Sequence, residues 1–284
     1  MKGIIVVSKD KGVTSRDVVN SICKIFNTKK VGHTGTLDPM ATGVLIICIG
    51  RYTKLVDYIT SENKEYIAGV KLGITTDTLD TTGNILGTSN VGTTKSEVLT
   101  SLNYFTKKYE QQVPIYSAVK INGKKLYEYA RNNEKVDLPV REVNILETEL
   151  LSFSEDEFEF KTLVSKGTYI RSLIYDVCKN FNHDGVMSSL IRTKQGKVCL
   201  EESYTLDDIK QGNYKLLNAR DILCYEEIIV TEDELFKVKN GTKINKNVKD
   251  GKYIIMNKEE EIAIYEFTDS IGRMSVLLKI ENEI

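Results

Sequence analysis

Tryptophan is absent from this 284-residue chain, histidine occurs twice and proline three times. With His33 and His183 as the sole imidazoles, a multi-histidine metal centre is arithmetically excluded. The five cysteines, at positions 23, 48, 178, 199 and 224, are odd in number and never fall in C-x-x-C spacing. That pattern argues against a zinc ribbon and against a secreted disulfide framework. Long apolar runs are missing as well: the longest early one, Ile4 to Val7, is too short for a signal peptide or a membrane span. The expected location is therefore cytoplasmic, with no membrane partner. Neither charge sign dominates, with 39 Lys+Arg against 40 Asp+Glu. Without a global basic field, a polyanionic partner has to be gripped by a local patch.

What is present reads as an ordinary globular composition, enough for one large domain with a small satellite. Charge is uneven along the chain. Residues 225–284 carry nine basic and thirteen acidic side chains, whereas 161–197 carries seven basic ones against Asp176 and Asp184. The latter is either a solvated face or the best candidate patch for a polyanion. Helical periods run through Val18, Val19, Ile22, Ile25 and Phe26, with Ser15 placed to cap, and through Leu173, Ile174, Val177, Cys178 and Phe181 from near Arg171. Thr94 and Glu97 form a capping-box pattern ahead of Val98, Leu99, Leu102 and Phe105. The Val44–Ile49 run has the length of a strand buried on both faces. Tyr66, Ala68, Val70 and Leu72 share one strand face, and Phe158, Phe160 and Val164 share another. After Leu223, short β-like runs alternate with Asn240-Gly241, Asp250-Gly251 and Ile271-Gly272, so a small β-rich module is expected beyond a boundary near 224.

The densest unusual stretch is Gly32-His33-Thr34-Gly35-Thr36-Leu37-Asp38-Pro39-Met40-Ala41-Thr42-Gly43. It cannot form a regular helix, yet an apolar strand follows at once, and a polar loop tied to a buried strand can hold a reactive group rigidly. Pro39 pushes Asp38 toward an extended backbone. On the residues alone, Asp38 is either such a group or a turn-capping acid. A Walker loop does not fit, because Gly43 is followed by Val44 rather than Lys. A P-type pump loop shares Thr-Gly-Thr-Leu, but its acceptor aspartate would fall at Gly32. A carboxylate-only magnesium site at Asp77 and Asp80 stays open.

Five segments in order resemble one family. GHTGTLDPMATG is similar to the catalytic motif of the TruB family of tRNA pseudouridine synthases. Lys64-Glu65-Tyr66 with Leu72-Gly73 and Thr76 to Gly83 resembles the family's KxY…LGxxTDTxDxxG segment. Tyr116 to Lys120, Gly123, Leu126-Tyr127-Glu128 and Ala130-Arg131 resemble SAxK…G…LYExAR. Ser165 to Leu173 resembles the S.GTYIRSL segment, and Leu190 to Thr193 the L.R.T segment. The chain departs from the family where Asp10 follows Lys9 in place of proline, and where Val113-Pro114 replaces a double proline.

The resemblance implies an α+β pseudouridine synthase fold with a mixed, largely antiparallel sheet over residues 1–224, and a PUA-like RNA-binding module over 225–284. It implies isomerisation of uridine 55 in the tRNA T loop, with base flipping and no metal or organic cofactor. Asp38 would be the nucleophile, Arg171 its guanidinium partner with Asp80 on the other side, and Tyr66 the ring stacked on uracil. Leu190 would pack against the flipped base and His33 fill the gap it leaves, while Lys9, Lys64, Lys120 and Arg192 would contact phosphates. Residues 120–141 resemble the insertion with which bacterial members grip the T arm, without guide RNA or an obligate protein partner. The alternatives are a non-catalytic RNA-binding or RNA-folding protein on the same scaffold, and a guide-dependent dyskerin-type subunit.

Overall fold

The computed structural model describes residues 2–279. The chain folds as two compact units: one runs through Pro39, Gly43–Ser61 and from Gly196 onward, the other comprises Met40–Thr42 and Glu62–Gln195. These units follow packing in space, and so differ from a division at 224 drawn from composition along the chain. Both mix helices with strands, in keeping with the α+β expectation.

In the first unit the Gly3–Lys9 strand pairs antiparallel with Thr42–Ile49, from Gly3 opposite Ile49 to Lys9 opposite Gly43. The short Val31–His33 strand pairs with the same partner. Residues Val44 to Ile49 are all fully buried, as a continuous β-branched and aliphatic run requires. The Ser15–Ile25 helix is capped by Thr14, not Ser15: the Thr14 hydroxyl accepts from Asp17 N at 3.1 Å and Asp17 Oδ2 accepts from Thr14 N at 3.1 Å. Ser15 is freed for another task, described below.

The carboxy-terminal part of this unit is a five-stranded sheet in the order Glu226–Ile229, Gly251–Asn257, Glu260–Thr268, Ile271–Leu277 and Ile244–Asn245. Its first pair is parallel and the rest antiparallel. One set of side chains, including Tyr253, Ile255, Tyr265 and Phe267, packs with Leu235 and Val238 of the Glu232–Lys239 helix. The alternating set, Ile254, Met256, Ile264 and Val276, packs with Ile4, Val6, Val44, Ile46 and Leu55. The sheet therefore has apolar cover on both faces, and its second cover comes from the chain's first strands. A buried carboxylate reinforces the joint. Glu261 Oε2 accepts from the Tyr52 hydroxyl at 3.1 Å and Ala219 N at 2.9 Å, and Oε1 from Arg220 N at 2.6 Å.

This packing has a direct consequence. A chain ending at residue 224 strips cover from Ile4, Val6, Val44 and Ile46 at once. Losing one such buried side chain costs about 2–5 kcal/mol against a typical total of about 5–15 kcal/mol. The shortened protein is expected to lose cooperative thermal unfolding and near-ultraviolet dichroism. A sharp unfolding transition in it would show that the two apolar faces are independent.

The second unit is built on an antiparallel sheet in the order Gly185–Gln195, Lys64–Leu72, Glu157–Val164, Val140–Phe153, Lys108–Gln112. The Lys64–Leu72 strand is paired on both sides, and Ala68 and Val70 are fully buried on it. A Cβ at Gly69 would lie 2.4 Å from Ser189 Oγ and 2.8 Å from Ser188 Oγ, beside an irregularity between Met187 and Ser189, so any side chain there displaces both hydroxyls. The Lys95–Phe105 and Ile170–Asn180 helices pack together, with Ser101 Oγ donating to Val177 O at 2.8 Å. The capping box of Thr94 and Glu97 is formed as the spacing predicted.

Candidate active site

The loop bearing Asp38 is fixed from both sides within the first unit. On the amino-terminal side, Thr34 is fully buried, donates its N–H to Ile46 O at 3.1 Å and accepts at its carbonyl from Thr60 Oγ1 at 3.1 Å. Gly35, at φ 150°, donates to His33 Nδ1 at 3.3 Å. His33 sits half-buried at the end of its strand, opposite Ile47. Next to Asp38, the Ser15 hydroxyl accepts from Leu37 N at 2.9 Å and donates to Leu37 O at 3.2 Å. On the carboxy-terminal side, Pro39 O accepts from Gly12 N at 2.7 Å and from Lys9 Nζ at 3.4 Å. Asp38 itself is half-buried, between a buried Leu37 and an exposed Pro39. The backbone of the carboxylate is thus held at its immediate neighbours, and that pre-organisation is what a reacting group needs.

Lys9 therefore has a different task from the phosphate contact expected of it. It is 1% exposed, and its ammonium also donates to Val13 O at 2.6 Å and Asp10 O at 2.9 Å. A cation enclosed by backbone carbonyls ties two loops together and presents no open charge to a nucleic acid. Ser15 was legible only as a helix cap, although Thr14-x-x-Asp17 carried the true capping signal. Replacing Ser15 by alanine leaves Leu37 N and Leu37 O without this partner in a buried position. A loss of about 1–3 kcal/mol in stability, with a fall in turnover, is the expected result. Unchanged melting temperature and turnover would show that the hydroxyl does not hold the loop.

In the second unit, three expected site residues lie on neighbouring strands. Tyr66 is paired with Arg192 on one side and Thr162 on the other, and Leu190 with Ala68. Tyr66 and Leu190 are 7% and 6% exposed, whereas Arg192 is 1% exposed. Arg192 is consequently a buried strand residue and offers no surface charge to a phosphate, which corrects the expectation. Lys64 lies two residues before Tyr66, and its amine donates to Glu62 O at 2.6 Å. Burial, followed by the charge of Arg192, lowers its pKa to about 8. Lys120 is exposed, on a two-residue strand paired with Lys124–Lys125.

Arg171 is the second residue of the Ile170–Asn180 helix and 5% exposed. A cation there opposes the helix dipole, so it needs compensation. Its Nη1 donates to Thr78 O and its Nη2 to Tyr116 O, each at 3.0 Å, which anchors the guanidinium to the turn that carries Asp80 and to a second loop that the sequence did not connect with it. Asp80, the acid expected beside it, is 5% exposed and lies two residues beyond Thr78 in the same turn. Its Oδ1 accepts from Thr82 Oγ1 at 2.6 Å, Thr78 Oγ1 at 2.8 Å and Thr82 N at 2.9 Å. A short threonine-rich turn thus satisfies that oxygen locally. Asp80 shapes the turn that presents Thr78 O, and the turn is bridged to Met187 on the neighbouring strand.

Asp77, the other acid of that turn, accepts from Asn84 N at 2.9 Å and Asn84 Nδ2 at 3.0 Å. Among the described residues no group of three or more His, Cys, Asp or Glu side chains could hold a metal ion. No helix among them is long and apolar enough to cross a membrane.

Comparison with known proteins bears on this arrangement. The model of the TruB family pseudouridylate synthase N-terminal domain matches residues 23–170. A curated relative, tRNA pseudouridine synthase B of Clostridium tetani, is 43% identical over 277 residues, spanning 96% of this chain and 94% of its own. The protein of the same name from Staphylococcus saprophyticus is 43% identical over 291 residues, spanning 93% of this chain and 94% of its own. A chain from a solved H/ACA ribonucleoprotein bound to a substrate RNA containing 2′-deoxyuridine superposes with a TM-score of 0.74. It covers 99% of this chain and 86% of that one at 20% identity, a likeness of fold. With a matched family model over half its length and relatives of this identity over nearly all of it, the chain belongs to the TruB family of pseudouridylate synthases.

Proposed function

We propose that this protein isomerises uridine 55 in the T loop of tRNA to pseudouridine, unaided by guide RNA or a protein partner. The observation that carries the reading is the Asp38 carboxylate on a loop pinned at Leu37 and Pro39. The reaction breaks the N1–C1′ bond, turns the uracil and joins C5 to C1′, with loss of the C5 proton and no net change of oxidation state. A carboxylate suffices as nucleophile for such a sequence. In this reading Asp38 is the nucleophile, Tyr66 stacks on the flipped uracil, Leu190 packs beside it and His33 fills the space the nucleotide leaves. Arg171 has the part that the family resemblance gives it, the guanidinium of the reacting centre.

The module of residues 225–284, PUA-like in this reading, is a secondary RNA contact, and the first grip falls to the segment 120–141. There Lys124 lies over the Tyr129 ring at 4.6 Å, and Lys125 and Arg131 each lie 5.3 Å from the Tyr127 ring centre. Clustered cations and aromatic rings suit a folded RNA arm. This surface supports the stand-alone reading over the guide-dependent one. A T-arm hairpin transcript tritiated at uridine C5 tests it. The protein alone is expected to release tritium from position 55 and none when cytidine stands there; release only after adding a guide RNA would refute the stand-alone reading.

Lys64 supplies a pH signature. The unfolded chain keeps this proton to about pH 10.4, so folding gains stability as pH rises between about 8 and 10. A phosphate at Lys64 favours the charged amine and takes the proton back. Affinity for tRNA is therefore expected to weaken as pH rises through about 8, and Lys64→Arg to flatten that dependence. Identical pH profiles for the two proteins would remove Lys64 from the RNA interface.

A further inference from the structure

The Ile170–Asn180 helix begins without a side-chain cap of its own, since its N-cap residue is Tyr169. What holds this end comes from another strand. Gln111, 1% exposed on Lys108–Gln112, accepts from Tyr169 N at 2.8 Å and donates to Tyr169 O at 3.2 Å. The same Nε2 donates to the Tyr109 hydroxyl at 2.7 Å, and that hydroxyl donates to Asp176 Oδ2 at 3.1 Å.

The direction of these bonds matters. With its proton committed to Asp176, the Tyr109 oxygen is left to accept, so the Gln111 nitrogen must face it. The Gln111 oxygen is then turned to the Tyr169 N–H. One tyrosine thus fixes which way the amide points, and the amide grips both backbone groups of the residue two before Arg171. Asp176 lies on the same helix, so the chain closes on itself. Burial raises the Asp176 carboxyl to about 6, consistent with a group placed for this link rather than for solvent.

We propose that Gln111 is a positioning residue for the reaction, setting the start and register of the helix that carries Arg171. The proposal rests on the reading of Arg171 as the cation of the reacting centre. Gln111 does not touch the substrate; it acts through the Tyr169 backbone. A displacement near 1 Å at a reacting group slows chemistry by up to about a hundredfold, so a loosened helix start has a large lever.

The test is a double-mutant cycle on the full-length protein. Gln111→Met is made in the wild type and in Arg171→Lys, and single-turnover pseudouridine formation on tRNA is measured at saturating enzyme, with tRNA affinity and melting temperature. Gln111→Met is expected to slow the wild type about tenfold or more while affinity is retained. In the Arg171→Lys background it is expected to cost less than about twofold, because the group it positions is already gone. Equal slowing in both backgrounds, or none in the wild type, overturns the proposal. Should Gln111→Met not fold, Gln111→Asn keeps an amide but falls short of the backbone, and carries the same cycle. Ser172→Ala removes the neighbouring tie to Gln112 O, 2.9 Å long, without touching Tyr169. Its rate is expected to stay within about twofold of wild type; slowing as large as that of Gln111→Met would make Gln111 merely structural. If Arg171→Lys alone leaves the rate unchanged, the reading of Arg171 fails, and this proposal fails with it.

Discussion

Asp38→Asn is expected to abolish pseudouridine formation, by at least about a thousandfold, while tRNA binding stays near the wild-type level. The amide is close to the carboxylate in shape, and the loop is tied at the backbone groups of Leu37 and Pro39, which the substitution leaves in place. What the variant loses is negative charge and nucleophilic oxygen. Fold and RNA grip should therefore survive, and the loss should sit in the chemical step. Tritium release in a single turnover separates this from weakened binding. A rate within tenfold of wild type would remove Asp38 from the covalent step.

Arg171→Lys carries the next largest effect. An ammonium preserves the charge but not the planar fork, which here reaches Thr78 O with one terminal nitrogen and Tyr116 O with the other, both at 3.0 Å. A lysine cannot meet both carbonyls from the same backbone position in the same geometry. The freed carbonyls and a wandering charge are expected to slow the chemical step by about 2–4 kcal/mol, as when a charge-stabilising group is lost. The readout is again the single-turnover rate, with the melting temperature showing how much of the loss is structural. Equal rates would show that the guanidinium takes no part in the reaction.

The elements legible in the sequence are those governed by near neighbours. Val44–Ile49 announced itself as a doubly buried strand by its unbroken apolar run, and Thr94 with Glu97 announced a helix start by spacing alone. The Asp38 loop stood out by its glycines, threonines and proline beside a buried strand, but on the residues alone a turn-capping acid stayed open, and only the family resemblance singled out Asp38 as a reacting group. What escaped were interactions joining residues far apart in the chain. Ser15 to Leu37 and Gln111 to Tyr169 span 22 and 58 positions, and no periodicity marks such pairs. Burial of charge escaped too. Lys9 and Arg192, which the resemblance set against phosphates, are both enclosed, although such residues seldom lie inside. The second apolar face of the carboxy-terminal sheet went unseen for the same cause, since a four-residue buried run such as Tyr253 to Met256 does not say what covers each side.

The central claim is that this chain by itself turns one uridine of the tRNA T loop into pseudouridine. The most direct measurement uses a full-length tRNA transcript tritiated at C5 of every uridine, mixed with excess protein and no other component. Release of one tritium per tRNA, lost when uridine 55 is replaced by cytidine, is the expected result. Tight tRNA binding with no tritium release would contradict the account and leave an RNA-binding protein on a synthase scaffold.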